Sequence, residues 1–260
     1  MVFREKIWEI AKNKQTNIVL ALDLPFEKPA NRQPLYERAA KIIDAASPHI
    51  CAVKINHHLT LPLGVFNGVQ KLIEKAHEKG LLTIMDCKVN DIGDTNRVIA
   101  EYYFEAGFDA LTANPFVGWE EGLKPVFETA KTRRKGIILL VYMSHKGASE
   151  GYGQTVMDAE SGRKTPQYMV FAKKALEWDA DGVVVGATYP EKIREVPAFL
   201  GEKIPIYSPG ISVQGGEIEL ALKAGASYLI VGRAVTLAEN PADTAEKIKN
   251  IAWGFLAKRR

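Results

Sequence analysis

Eight short, nearly all-apolar runs, each followed by a stretch of helical spacing in a chain of 260 residues, predict an α/β protein built as a TIM (β/α)8 barrel with an additional N-terminal helix. A second observation agrees. The segments Glu-Ala-Gly-Phe-Asp-Ala at 105–110 and Lys-Ala-Gly-Ala-Ser-Tyr at 223–228 are similar helix-ending glycine turns into strands, as expected of a repeated βα unit. A doubly wound open sheet is the competing architecture. It normally uses fewer strands at this length, and no GxGxxG follows the first apolar run. Residues 1–260 read as a single barrel domain, without a linker.

The elements follow in order. Val2 to Lys12 has helical apolar spacing through Phe3, Ile7, Trp8, Ile10 and Ala11, and Asn17 to Asp23 is the first strand, closed by Pro25. Helices over 35–46, 65–79, 96–106 and 120–131 then alternate with strands over 50–55, 82–88, 108–112 and 136–143. After a long connection come helices over 166–178, 190–196, 215–224 and 241–256, between strands over 182–185, 204–207 and 228–231. The connection, Ser144 to Thr165, is rich in glycine and polar residues and leaves the carboxyl end of the fifth strand. A long loop at that end of a barrel is a candidate lid, the alternative being a family-specific decoration.

Composition narrows the function. Hydrophobic residues make up 47% and charged residues 25%, and 34 basic against 31 acidic side chains are interspersed rather than blocked. No nucleic-acid-binding face is expected; the only basic cluster, Lys258-Arg259-Arg260, reads as a solvated tail. No run of about 18 apolar residues exists, and the amino terminus lacks a signal-peptide core, so a cytoplasmic protein without a membrane partner is expected. Cys51 and Cys87 fall in predicted strands without CxxC spacing, which suits reduced core thiols.

The stretch Met85-Asp86-Cys87-Lys88-Val89-Asn90-Asp91-Ile92 stands out. Alternation on a strand puts Ile84, Asp86 and Lys88 on one face, so opposite charges converge at the end of a buried strand. Their desolvation is costly unless they hold each other, and that cost points to a site. Taken alone, the pair also reads as an ion pair closing a strand. In a barrel, however, the strand ends meet at one mouth, where Asp23, Lys54, Asp86, Lys88 and Ser144 become neighbours. Lys54, Asp86, Lys88 and Asp91 then form an array of alternating sign. A second cluster joins Ser208-Pro209-Gly210 through Gln214-Gly215-Gly216 with Val231-Gly232-Arg233, after the seventh and eighth strands. Glycines admit backbone N–H groups to an oxyanion, a helix start adds positive potential and arginine clamps it, which implies a phosphorylated substrate. Glycines that merely serve tight turns are the alternative.

On these residues the chain resembles the orotidine 5′-monophosphate decarboxylase family. Asp-Cys-Lys-Val-Asn-Asp-Ile at 86–92 is similar to that family's Asp-x-Lys-x-x-Asp-Ile/Val signature, and the likeness extends through Asp94-Thr95-Asn96, Asp23, Lys54, Met143-Ser144-His145, the 208–216 loop and Val231-Gly232-Arg233. Departures are Gly93 where many relatives have proline, Asn56-His57-His58, and the long loop after Ser144. The resemblance implies conversion of orotidine monophosphate to uridine monophosphate without metal or organic cofactor. It implies Lys88 as proton donor and Asp86 beside the departing carboxylate, with Lys54 and Asp91 completing the array and contacting ribose hydroxyls. Asp23 and Thr95 would bind ribose and Ser144 the pyrimidine edge. Gln214, Gly232 and Arg233 would bind phosphate, with Ile92 and Pro209 also lining the substrate site. It also implies a homodimer in which Asp91 and Thr95 cross the interface. The rivals are a magnesium-dependent sugar-phosphate decarboxylase or aldolase of the same suprafamily and a non-enzymatic phosphate-binding barrel. The first carries an acid where Lys54 stands, since a lysine there repels a divalent cation. The second has no need of both lysines.

Overall fold

The computed structural model describes residues 2–26, 32–157, 162–201, 203–212 and 215–257. Eight parallel strands close into one barrel: β1 Ile18–Ala21, β2 Ala52–Ile55, β3 Leu82–Val89, β4 Ala110–Ala113, β5 Gly136–Tyr142, β6 Gly182–Val185, β7 Ile206–Pro209 and β8 Tyr228–Val231. Each strand pairs with its neighbours in sequence, and β1 closes on β8 through the register Ile18 to Leu229, Val19 to Ile230 and Leu20 to Val231. Parallel strands need crossover connections that cover the barrel from outside, which is why β1, β2, β4, β5, β6 and β8 are buried on both faces and carry no outward polar alternation.

The outer layer is made by α1 Phe3–Lys14, α2 Gln33–Ala46, α3 His57–Leu63, α4 Gln70–Glu78, α5 Gly93–Glu105, α6 Lys124–Arg133, α7 Gln167–Glu177, α8 Pro190–Glu195, α9 Gly215–Ala224, the single turn α10 Arg233–Thr236 and α11 Pro241–Ala257. The helix expected over 65–79 begins earlier and in two parts. Asn56 caps α3 by accepting from the His58 N–H, and a wide turn over Gly64–Val69 joins α3 to α4. Pro62 inside α3 and the polar start hide this helix from apolar spacing. The stretch after β5 also carries more structure than a loop: a turn of helix at Ala148–Gly151 and a two-stranded antiparallel hairpin, Thr155–Met157 with Lys164–Pro166. Its tip, and the tail Lys258-Arg259-Arg260, lie outside the described residues.

The floor of the barrel is sealed. Phe3 at the start of α1 is 1% exposed and reaches Gly136 so closely that a Cβ on Gly136 would stand 2.6 Å from the Phe3 Cβ and Cγ. On the same floor Tyr207 stacks on Tyr228 with ring centroids 4.8 Å apart, and Gly182 leaves room for the Tyr207 ring. The additional helix therefore closes the amino-terminal end, and open space is left at the carboxyl ends of the strands. Both cysteines are unpaired, Cys51 buried just before β2 and Cys87 on the outward face of β3. No helix of the described residues is long and apolar enough to cross a membrane.

Candidate active site

The ladder register builds the mouth. Ala21 on β1 pairs with Lys54 on β2, and Lys54 pairs with Ile84 on β3, so Asp86 stands one inward step beyond Lys54. Lys54 Nζ lies 2.6 Å from Asp86 Oδ2 and 3.8 Å from Asp23 Oδ1, and Lys88 Nζ lies 2.8 Å from Asp86 Oδ1. Asp86 thus holds one lysine on each oxygen. Burial alone would raise its carboxyl, but the ammonium groups of Lys54 and Lys88 outweigh that cost and hold it well below the usual carboxylate range. Burial would likewise lower Lys54, whose side chain is only 7% exposed, yet Asp86 and Asp23 bring it out above its ordinary value. The cluster sets two carboxyl-bearing side chains, Asp23 and Asp86, against two lysines, Lys54 and Lys88, so its formal charges balance.

Simple alternation on β3 stops at Asp86. From Met85 to Val89 the strand advances four residues, while its partner advances two, from Leu111 to Ala113, so a bulge lies between them. Lys88 sits in it with φ of 50°, in the left-handed region that costs a side-chain-bearing residue roughly 1–2 kcal/mol. The bulge keeps Lys88 facing the cleft and frees its backbone N–H from the ladder. Thr112 on β4 accepts that N–H on Oγ1 at 2.9 Å and donates the same hydroxyl to Asp86 Oδ1 at 2.9 Å.

Sequence reasoning missed Thr112, although its inward parity with Ala110 was readable. It also set Asn56 aside as a departure, yet Asn56 Nδ2 donates to Asp23 Oδ1 at 2.8 Å while its own Oδ1 caps α3. His145 and Thr188 line the cleft too, and Thr188 Oγ1 donates to the Ser144 carbonyl at 3.0 Å.

These groups open into a cleft of about 990 Å³ at the carboxyl ends of the strands, with Ile138, Leu140, Val184 and Ile230 as its apolar wall. Of the residues expected there, Asp23, Lys54, Asp86, Lys88, Ser144, Pro209, Gly232 and Arg233 all line it. Arg233 opens α10 directly after Gly232, and its guanidinium has no carboxylate partner among the described residues. Gln214 lies outside the described residues. Asp91, Ile92 and Thr95 do not line the cleft of their own chain: all three are exposed at the start of α5, Ile92 by 70%. Asp91 is nonetheless fixed, since the buried Asn96 side chain accepts its N–H and donates to its carbonyl. Among the described residues, no three His, Cys, Asp or Glu side chains gather to hold a metal ion.

A closed (β/α)8 barrel with ion pairs converging on a cleft at its strand ends defines the class: a barrel enzyme whose chemistry rests on charged side chains. The model of the Orotidine 5'-phosphate decarboxylase / HUMPS family matches residues 16–248, and the chain belongs to that family. It is 34% identical over 235 residues to an orotidine 5'-phosphate decarboxylase of Methanosarcina acetivorans, covering 90% of this chain and 94% of that protein. Among solved structures it resembles the orotidine 5'-phosphate decarboxylase of Pyrococcus horikoshii OT3, with a TM-score of 0.73 and 36% identity over 90% of this chain and 98% of that one. It also resembles the orotidine 5'-monophosphate decarboxylase of Methanocaldococcus jannaschii complexed with the inhibitor BMP, with a TM-score of 0.75 and 28% identity over 91% and 98% of the two chains.

Proposed function

We infer that this chain, as one catalytic domain, decarboxylates orotidine 5′-monophosphate to uridine 5′-monophosphate, the last step in making that pyrimidine nucleotide. The observation that carries this reading is the Lys54–Asp86–Lys88 triad, with separations of 2.6 and 2.8 Å, in a chain of this family. When carbon dioxide leaves the pyrimidine, the electron pair of the broken C–C bond stays on the ring carbon. The Lys88 ammonium stabilises that carbanion and then gives it a proton, and solvent restores the lysine. Asp86 stands beside the departing carboxylate and positions Lys88, while Lys54 neutralises Asp86 and contacts the ribose. Asp23 binds ribose and Ser144 the pyrimidine edge. Pro209 packs on the substrate, and Gly232 and Arg233 take the phosphate together with Gln214.

No cofactor enters this chemistry. A magnesium-dependent reaction on a sugar phosphate is disfavoured by Lys54, whose ammonium occupies the neighbourhood of Asp86 where a divalent cation would have to bind. Asp91, Ile92 and Thr95, exposed in their own chain, complete the pocket of a second copy in a homodimer. The protein works in the cytoplasm and engages neither nucleic acid nor membrane.

Substrate identity is tested by offering the purified protein orotidine monophosphate and, separately, a phosphorylated hexulose with magnesium. Consumption of the nucleotide alone is expected; consumption of the sugar alone would assign the other chemistry. Sharing of sites is tested by mixing a Lys88→Ala chain with an Asp91→Ala chain, each inactive alone. Random exchange should restore roughly a quarter of wild-type activity, because about half the dimers are mixed and half their pockets intact. No recovery after verified exchange would return Asp91 to its own chain.

A further inference from the structure

We propose that Thr112 is a positioning residue of the decarboxylation, its hydroxyl fastening the bulged backbone of Lys88 to the carboxylate of Asp86; this rests on the reading of Lys88 as proton donor. Both hydrogen bonds of this hydroxyl go to the two residues closest to the chemistry. Thr112 Oγ1 accepts from the Lys88 backbone N–H at 2.9 Å and donates to Asp86 Oδ1 at 2.9 Å. Asp86 Oδ1 is also the oxygen that holds the Lys88 ammonium, at 2.8 Å. One hydroxyl therefore closes a loop that runs from the Lys88 backbone through Thr112 and Asp86 to the Lys88 side chain.

That loop answers a problem the bulge creates. A lysine with φ of 50° adopts a conformation that its own side chain disfavours, and it has lost the regular ladder partner of its N–H. The conformation persists only where surrounding groups over-determine it. Thr112 is 2% exposed, so water does not substitute for the hydroxyl, and β-branching restricts its rotamers on the strand. Its main chain is engaged as well, since Thr112 sits in the β4 ladder opposite Ile138 and its carbonyl faces Cys87 Sγ at 3.5 Å. The donor ammonium is thus aimed by a rigid strand neighbour rather than by the flexible four-carbon stem of lysine alone.

The test uses the intact protein and two substitutions. Thr112→Val keeps shape and removes the hydroxyl; Thr112→Ser keeps the hydroxyl and removes a methyl. With Lys88→Ala inactive as the reference, Thr112→Val should lower kcat about 10- to 100-fold, the loss equivalent to a hydrogen bond to a charged group. The KM for orotidine monophosphate and the Kd for uridine monophosphate should stay within about threefold of wild type, because the ribose and phosphate contacts are untouched. Thr112→Ser should restore most of kcat. Three outcomes overturn the proposal: kcat of Thr112→Val within threefold of wild type, equal loss in the valine and serine variants, or a rise in Kd and KM matching the fall in kcat. A wild-type protein that leaves orotidine monophosphate unconsumed overturns instead the decarboxylase reading on which the proposal rests.

Discussion

The two ends of this barrel each bury carboxylates, and they treat them differently. At the carboxyl ends of the strands, Asp86 is held between two ammonium groups that face an open cleft, one of them carried by Lys88 in its disfavoured backbone conformation. At the amino-terminal end, Asp109 and Asp181 hold backbone. Asp109 Oδ2 accepts from the Thr83 N–H at 2.9 Å and from His77 Nε2 at 2.8 Å, with Lys135 Nζ 3.2 Å from Oδ1. Asp181 accepts from the N–H of Ile137 at 3.1 Å and of Arg4 at 3.3 Å, tying α1 and β5 to the floor. The floor spends its charges on chain connections around a stacked tyrosine pair, whereas the mouth directs two ammonium groups and strain at space a substrate can enter. Burial of a carboxylate alone does not mark a site; what it faces does.

The sharpest way to break this contrast is Lys88→Ala. The side chain is 38% exposed and its removal relieves no packed core, so the melting temperature should stay close to wild type while turnover of orotidine monophosphate vanishes. Near-normal turnover in a folded Lys88→Ala protein would remove the lysine from the mechanism. Next in size is Arg233→Ala, expected to weaken binding of the phosphorylated nucleotide by roughly 2–4 kcal/mol, as for truncating one partner of a charge pair. Affinity for the phosphate-free nucleoside should hardly change. Equal losses for both ligands, measured by calorimetry, would make Arg233 structural.

The floor should answer in the opposite currency. Asp109→Ala leaves the Thr83 N–H and hydroxyl and His77 without this acceptor and Lys135 with only the Gly107 carbonyl, so a stability loss of about 1–3 kcal/mol is expected in urea titration, with kcat per folded molecule unchanged. A fall in kcat without a fall in stability would erase the distinction between the two ends.

The smallest expected effect is on pH dependence. Burial pushes the Asp181 carboxyl up to about 6, so between about pH 4 and pH 6 the folded protein keeps a proton that the unfolded chain has lost. Its contribution to stability therefore falls as pH rises through that window. Asp86, held low, contributes in the reverse sense: its stabilisation is present above about pH 4 and is lost as pH falls towards its folded value. Asp181→Asn should flatten the decline in melting temperature between pH 4 and 7 relative to wild type. An unchanged pH profile would show that Asp181 titrates normally.

Much of this contrast was legible in the sequence. Apolar runs located all eight strands, because strands buried on both faces leave no other pattern, and parity placed Asp23, Lys54 and Asp86 at one mouth, which Lys88 reaches through the bulge rather than by alternation. Strand edges were less visible: β4 begins at Ala110 rather than Phe108, although Phe108 is as buried as a strand residue and Asp109 already exchanges backbone hydrogen bonds with both neighbours, its N–H donating to the Thr83 carbonyl and its carbonyl accepting from Gly136. The bulge left no signal, because the residue with positive φ is a lysine and not the glycine or asparagine that announces such a turn. Thr112 reads as an ordinary β-branched strand residue until its two partners are seen. The turn of helix and the hairpin after Ser144 were hidden by glycine-rich composition, and the exposure of Asp91 and Thr95 follows from tertiary placement that spacing does not encode.

The most direct test of the central claim is the turnover of orotidine monophosphate by wild-type protein after exhaustive chelation, followed by loss of substrate absorbance. A site built on Lys54, Asp86 and Lys88 predicts the full rate in chelator and no gain on adding magnesium. Activity that disappears in chelator and returns with magnesium would contradict it.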